Sequence, residues 1–235
     1  MTFSREWNSA QLNGQRPDHG MTAQMHWLVS TFVGSVKGQR VLELGSASGL
    51  SAQLILSAGG EYYGIDGRED AVQVARKVEG AHFHCGDFTM EQPFGGDFDV
   101  VIDRASIAHN DIGSIKRCLG LVWESLKPGG LFLSADWFSS SHSELQRGEV
   151  VEAMTHTDYH DGQFAGVGRV HFSSERELVE LFDAFEPLYL SERISRRPQR
   201  GLFLPTTRDA PWISPYFIDK DYQVAVWDLV VRRPK

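Results

Sequence analysis

The segment Val41-Leu42-Glu43-Leu44-Gly45-Ser46-Ala47-Ser48-Gly49 is a brief apolar run closing on a turn of small residues. Such a run reads as a buried strand, and small residues after it let backbone N–H groups approach a ligand closely. From Gly49 to Ser57 the apolar spacing becomes helical, and Gly59-Gly60 stops it. The same alternation continues downstream. Glu61 to Ile65 predicts a second strand ending at Asp66-Gly67, then a helix through Ala71, Val74 and Val78. Ala81 to Cys85 and Phe98 to Asp103 predict two more strands. A helix over Asp111 to Leu126 follows, stopped by Lys127-Pro128-Gly129-Gly130, and Leu131 to Ala135 makes the fifth strand. Upstream, Trp27 to Val36 has the spacing of a short helix that ends near Gly38.

Strands alternating with helices imply βαβ units and a parallel sheet covered on both faces. Beyond residue 135 the rhythm loosens. Leu145 to Met154 reads as a helix and Thr155 to Val170 as a polar, glycine-bearing loop. Ser173 to Phe185 is a helix with Ser174 near its N-cap and Glu177 three residues on, and Leu188 to Ile194 and Tyr222 to Val231 supply two closing strands. The expected fold is α/β: a Rossmann-like, doubly wound, mostly parallel seven-stranded sheet with helices on both faces.

Bulk properties narrow the function classes. The chain has 235 residues, 41% hydrophobic and 23% charged, which excludes wholesale disorder. A net charge of −8 makes it a poor general binder of nucleic acid. Two cysteines, Cys85 and Cys118, form no disulfide framework and no cysteine zinc site. No stretch reaches the length of a membrane span, and Met1 to Asn13 lack a signal-type apolar core. The expectation is a cytoplasmic protein with neither membrane nor nucleic-acid partners; homo-oligomerisation is left open. Charge is uneven: residues 1–185 hold 14 basic and 25 acidic side chains, whereas residues 186–235 hold 9 and 6. Arg193, Arg196, Arg197 and Arg200 form either a solvated loop or a site for an anionic acceptor.

The turn at Gly45 is not G-x-G-x-x-G, because position 47 is alanine and the next glycine is Gly49. Glu43, two residues before Gly45, would repel a dinucleotide diphosphate and suits a cationic or zwitterionic ligand. Asp66 ends the next strand about 20 residues on, where a carboxylate can accept from ribose hydroxyls. Gly86-Asp87-Phe88 offers a carboxylate for an exocyclic amine and a ring for stacking on a base. Asp103-Arg104 ends the fourth strand. Each acid taken singly could be a helix cap or a loop carboxylate, but all four segments fall in order at carboxyl ends of parallel strands, where open α/β sheets place their ligands.

On these residues the chain resembles the class I S-adenosylmethionine-dependent methyltransferases. The glycine motif corresponds to Val41 to Gly49, the ribose acid to Asp66, the adenine segment to Gly86-Asp87-Phe88 and the post-strand segment to Asp103 to Ala105. Leu126 to Leu131 is similar to the family's turn before the fifth strand. The departure is Ala47, where the family usually has glycine. The resemblance implies S-adenosylmethionine as cofactor, held by Glu43, Gly45, Ser46, Ala47, Gly49, Asp66, Gly67, Asp87, Phe88, Asp103 and Arg104. It implies in-line methyl transfer, for which alignment and water exclusion matter most. Residues 1–235 then form one methyltransferase domain. Within it lie an N-terminal helical lid (1–39), a cofactor-binding core (40–135), a substrate-side loop and helix insertion (136–172) and a closing helix and strands (173–235).

His109, six residues after Asp103, is the expected catalytic base, with helix capping as its structural alternative; His142 is a second candidate. His156, Asp158, His160 and Asp161 are dense enough to suggest a metal, yet lack helix or strand support, and no metal is expected. No Asn/Asp-Pro-Pro-aromatic segment and no Pro-Cys pair occurs, which favours a small-molecule acceptor over DNA or RNA. Trp7, Trp27, Trp137, Phe138, Tyr159 and Phe164 are placed to lid an acceptor pocket. Two alternatives stand beside this reading: an NAD(P)-dependent oxidoreductase, disfavoured by Glu43 and the missing G-x-G-x-x-G, and a non-catalytic S-adenosylmethionine-binding domain.

Overall fold

The computed structural model describes residues 23–160, 162–196 and 222–235, leaving aside the side chain of Arg196. Strands β1 (Arg40–Leu44), β2 (Glu61–Asp66), β3 (Ala81–Cys85), β4 (Phe98–Arg104) and β5 (Leu126–Phe138) run parallel. The three-stranded elaboration is β6 (Glu149–Glu152), β7 (Thr155–Thr157) and β8 (Val170–His171), and the main sheet closes with β9 (Glu186–Arg196) and β10 (Gln223–Arg232). The main sheet has seven strands in the order β3-β2-β1-β4-β5-β10-β9, with β10 antiparallel to both neighbours. The strand order reverses between β1 and β4, which is where a doubly wound sheet opens a crevice for a ligand.

Alternate residues of each strand feed two separate cores, and this is why the strands read as unbroken apolar runs. Val41, Val100, Ile102, Leu133 and Val230 pack with Met25 and Leu28 of α1 (Ala23–Leu28) and with Ala52 and Ile55 of α2 (Leu50–Ser57). On the other face Leu42, Val101, Phe132, Leu229 and Val231 pack against Ile115, Cys118, Leu119 and Val122 of α4 (Ile112–Ser125). Leu178 of α5 (Glu175–Leu181) joins them there; α3 (Glu69–Ala75) links β2 to β3. Burying a Leu or Val side chain stabilises by roughly 1.5–3 kcal/mol, so each face is held by many such increments.

Helix starts follow their caps. The Asp111 carboxylate accepts from the Ser114 N–H at 2.8 Å, and the Ser174 hydroxyl accepts from the Glu177 N–H at 3.2 Å. Ser173 ties the closing strands together: its hydroxyl accepts from the Trp137 indole at 3.0 Å and its carbonyl from that of Trp227 at 2.9 Å.

The segment 136–172 departs from the sequence expectation. Leu145 to Met154 is not a helix: a single 3-10 turn at Ser143–Gln146 gives way to β6, which pairs antiparallel with β7 inside the expected loop. The turn between them is set by Met154 at φ 64°, and β7 pairs in turn with β8. Val150 and Val151 are β-branched and exposed, which disfavours a helix over this stretch, and strand pairing satisfies its backbone instead. At the other end, α1 covers Ala23–Leu28, earlier than the expected start at Trp27, and continues as a π turn through Val33. Among the described residues no helix is long and apolar enough to cross a membrane.

Candidate functional site

The parallel strands deliver their carboxyl ends to one edge, so the turn after β1, Asp66, Gly86-Asp87, Arg104-Ala105 and Phe138 meet there. Three non-glycine residues at this edge hold positive φ: Ala47 at 45°, Ala105 at 54° and Asp136 at 62°. Such conformations cost about 1–3 kcal/mol each and persist where the surroundings enforce them.

The glycine turn is enforced from two sides. Asp66 Oδ2 accepts from the Ala47 N–H at 2.8 Å, while its Oδ1 accepts from the Arg68 N–H at 2.8 Å. Gly45 (φ 70°) lies against the segment after β4, since a Cβ there would stand 2.0 Å from Ser106 Oγ. Gly49 (φ 79°) precedes α2 and faces the Phe83 ring in the same way. Glu43 is buried and turned inward: it accepts from the Ser51 hydroxyl at 3.1 Å and from the Tyr62 hydroxyl, fastening α2 and β2 beneath the turn. Ser46 stands out, because its hydroxyl is buried within the turn and makes no hydrogen bond among the described residues. An unpaired buried hydroxyl costs roughly 1–3 kcal/mol unless a ligand completes it.

The remaining expected cofactor residues divide. Asp87 is exposed and spends only Oδ1, on the N–H and hydroxyl of Thr89 at 2.8 and 2.7 Å. Gly67 is half-buried beside Asp66. Arg104 is half-buried and makes no ion pair among the described residues. Phe88 is packed into the core, leaving little more than a ring edge outside. Asp103 is wholly buried: Oδ1 accepts from the Ser106 and Ile107 N–H groups at 3.0 Å each, and Oδ2 from the Ser134 hydroxyl at 2.8 Å. These bonds shape the turn after β4. Burial nonetheless pushes its carboxyl up to about 6, against the hydrogen bonds that favour the charged form.

His109 sits on the 3-10 turn Ile107–His109 that Asp103 builds, buried and edge-on to the rings of Phe138 (5.1 Å) and Phe164 (6.2 Å). It does not cap α4; Asp111 does. Its Nδ1 lies 3.2 Å from the Arg169 carbonyl, which can only accept, so Nδ1 carries a proton and Nε2 keeps the lone pair in the neutral ring. His142 stands on the same two rings, at 6.3 and 5.4 Å. The imidazole and aromatic residues thus form one wall, roofed by the elaboration at β6 to β8. Phe138, Tyr159 and Phe164 are buried in it, whereas Trp137 is buried against Phe182 and Trp27 lies outside against Phe32 and Tyr189. Trp7 lies outside the described residues.

Sequence reasoning missed Glu144, Gln163 and Tyr222 in this wall. The Tyr222 hydroxyl donates to Glu144 Oε1 at 2.7 Å, and the Gln163 N–H donates to the same oxygen at 3.2 Å. Of the arginine run, Arg193 pairs with the buried Asp228 at 2.8 Å and with Asp136. The Arg196 side chain, Arg197 and Arg200 lie outside the described residues. No three His, Cys, Asp or Glu side chains converge to hold a metal among the described residues; Asp161 falls outside them.

Comparison with known proteins matches residues 35–178 to a family described as a methyltransferase domain. A ubiquinone biosynthesis O-methyltransferase of Bordetella avium is 30% identical over 126 residues, 49% of each chain. A demethylmenaquinone methyltransferase of Renibacterium salmoninarum is 29% identical over 119 residues, 50% of this chain and 49% of the relative. The chain therefore matches about half the length of these curated relatives. Among solved structures, a methyltransferase of Methanosarcina mazei superposes with a TM-score of 0.63 at 18% identity, covering 84% of this chain and 93% of that one. The 1,6-didemethyltoxoflavin-N1-methyltransferase of Burkholderia thailandensis gives 0.62 at 14% identity, covering 100% and 86%. At these identities the likeness is one of fold.

Proposed function

The chain belongs to the methyltransferase-domain family, and on that premise we propose that it transfers the methyl group of S-adenosylmethionine to a small aromatic acceptor. When bound, this cofactor supplies a methyl group already activated on a sulfonium, with a neutral thioether as leaving group. The residues present fit it. Ser46 offers a buried hydroxyl that makes no hydrogen bond among the described residues, Asp66 a carboxylate for ribose hydroxyls, Asp87 an oxygen for an exocyclic amine, and Arg104 a half-buried guanidinium for the amino-acid carboxylate.

The observation that carries the small-molecule acceptor is the wall at the end of β4 and β5. A buried histidine stands edge-on to the rings of Phe138 and Phe164 in the segment 136–172, apolar and flat-faced surroundings that suit an aromatic acceptor. We assign 136–172 to the acceptor side and 40–135 to the cofactor side of a single domain. A ring hydroxyl is the favoured acceptor, in keeping with the O-methyltransferase named among the relatives. Such a hydroxyl must lose its proton as oxygen attacks. His109 is held at Nδ1 by the Arg169 carbonyl, which makes Nε2 the ring atom that would take that proton. The surrounding rings exclude water and hold the acceptor in line, which supplies much of the acceleration.

Incubation of the full chain with methyl-labelled S-adenosylmethionine and fractionated metabolites should place label in low-mass aromatic products. His109→Ala should lower turnover by at least about 100-fold, with S-adenosylhomocysteine affinity unchanged. Label confined to nucleic acid or protein would overturn the small-molecule reading. Full turnover in His109→Ala would remove the base.

A further inference from the structure

Among the described residues, three polar atoms in the acceptor wall are buried without a well-formed hydrogen bond: Nε2 of His142, which has only the Gln163 side chain beside the ring, Oε2 of Glu144 and the hydroxyl of Tyr159. Their residues are 2%, 0% and 4% exposed. They gather round one ring, that of Phe164, whose centroid is 5.4 Å from His142 and 5.5 Å from Tyr159. Glu144 joins them through Tyr222, which bonds its Oε1 and stands edge-on to His142 at 6.2 Å. His109 stands edge-on to the same pair of rings, Phe138 and Phe164.

Backbone is drawn tightly against these groups. A Cβ at Gly162 would lie 2.4 and 2.5 Å from the two Glu144 oxygens, and one at Gly148 would lie 2.6 Å from Tyr159 Cζ. Glu144 makes no ion pair among the described residues. A buried carboxylate oxygen with no donor is expensive, and native proteins pair nearly all such groups. Three unsatisfied atoms in one place, next to a reactive site, therefore describe half of a binding interaction.

Their chemistry says what the other half is. His142 Nδ1 accepts from the Glu144 N–H at 3.1 Å, so the neutral ring has its proton on Nε2. Burial lowers this imidazole to about 4, which keeps it neutral at pH 7. Burial and the neighbouring Glu144 raise the Tyr159 phenol, which stays a neutral donor and acceptor. The trio thus offers a carboxyl oxygen with no donor among the described residues, a neutral imidazole N–H and a hydroxyl. We propose that His142, Glu144 and Tyr159 form the subsite that selects the acceptor: an uncharged or cationic ring that presents an N–H or O–H donor to Glu144, with anionic rings rejected. The proposal rests on the small-molecule reading above and replaces the anionic acceptor that the arginine run suggested.

The test uses the full chain saturated with S-adenosylhomocysteine and three ring probes observed by ligand-detected NMR: resorcinol, benzamidine and benzoate. Resorcinol and benzamidine should bind at least tenfold more tightly than benzoate, by about the strength of a hydrogen bond to a charged group. Glu144→Gln should cost benzamidine about tenfold and admit benzoate. Tyr159→Phe should weaken resorcinol severalfold while leaving Tm unchanged or higher, because it deletes an unpaired hydroxyl. That second variant carries the test if Glu144→Gln does not fold. Identical probe affinities in wild type and variants would overturn the subsite. So would a Tm loss of several degrees in Tyr159→Phe with unchanged probe binding, which would mark an internal water as the missing partner. A flat ranking with label still reaching small molecules sinks only this inference, whereas full turnover in His109→Ala sinks only the base.

Discussion

Asp66 holds two backbone N–H groups on one carboxylate, and a carboxylate has capacity for more. One oxygen keeps Ala47 in its left-handed conformation and the other shapes the turn into α3, so the residue would order the cofactor loop as well as take the ribose. Asp66→Asn keeps the size but sets an amide NH2 against one of those N–H groups. S-adenosylhomocysteine affinity should fall by roughly 1.5–3 kcal/mol, read by calorimetry, with a lower Tm in the absence of ligand. An unchanged affinity would place the ribose elsewhere. Asp103 shows the contrasting use of a strand-end acid: with all three of its hydrogen bonds internal, it shapes the chain that carries His109. Both acids stand at predictable places in the sequence. Their division of labour is not predictable, because it depends on which backbone N–H groups the fold brings within 3 Å.

At the level of elements, the glycine turn and the segment after β4 behave as one unit, meeting where Gly45 faces Ser106. Gly45→Ala would add a methyl group on top of the Ser106 side chain at a backbone φ of 70°, which L residues rarely adopt. Urea unfolding should show a loss of at least about 2 kcal/mol, and Ser106→Gly in the same chain should restore part of it. A neutral Gly45→Ala would mean that the two segments move independently. The strands β1 to β5 were legible because each is a short, mostly apolar run flanked by glycine, proline or aspartate turn residues, and β1, β4 and β5 carry the near-continuous apolar stretch of a strand buried on both faces. The hairpin of β6 and β7 was not, because Leu145 to Met154 also fits helical spacing and only Val150-Val151 after Gly148 argued otherwise. Glu144 was less legible still. In Ser143-Glu144-Leu145-Gln146 it reads as a surface acid, and its burial depends on Gln163 and on Tyr222, 78 residues away. No local pattern carries such a contact.

For the molecule as a whole, two buried groups make opposite contributions to its pH dependence. Asp103 has its carboxyl raised from 3.8 to about 6, so between those values the folded chain keeps a proton that the unfolded chain has lost. Its contribution therefore lowers stability as pH rises through that window. His142 is lowered from 6.5 to about 4, so the unfolded chain takes up a proton that the folded chain refuses, and stability falls as pH drops from 6.5 towards 4. Each contribution amounts to about 3 kcal/mol over its range, and between pH 4 and 6 they largely cancel. Relative to wild type, Asp103→Asn should make stability rise more steeply with pH in this window, and His142→Leu should make it fall. Urea midpoints at pH 4.5, 5.5 and 6.5 check both, and parallel profiles in all three proteins would refute the opposed titrations. The strand order has a consequence of another kind, for biosynthesis. Because β10 lies between β5 and β9, the growing chain can complete five parallel strands and still carry β5 as a bare, strongly apolar edge, inviting pairing with other chains. That edge stays uncovered on the ribosome until residues 223–232 emerge, so β10 is the strand that ends the nascent sheet's exposure to aggregation.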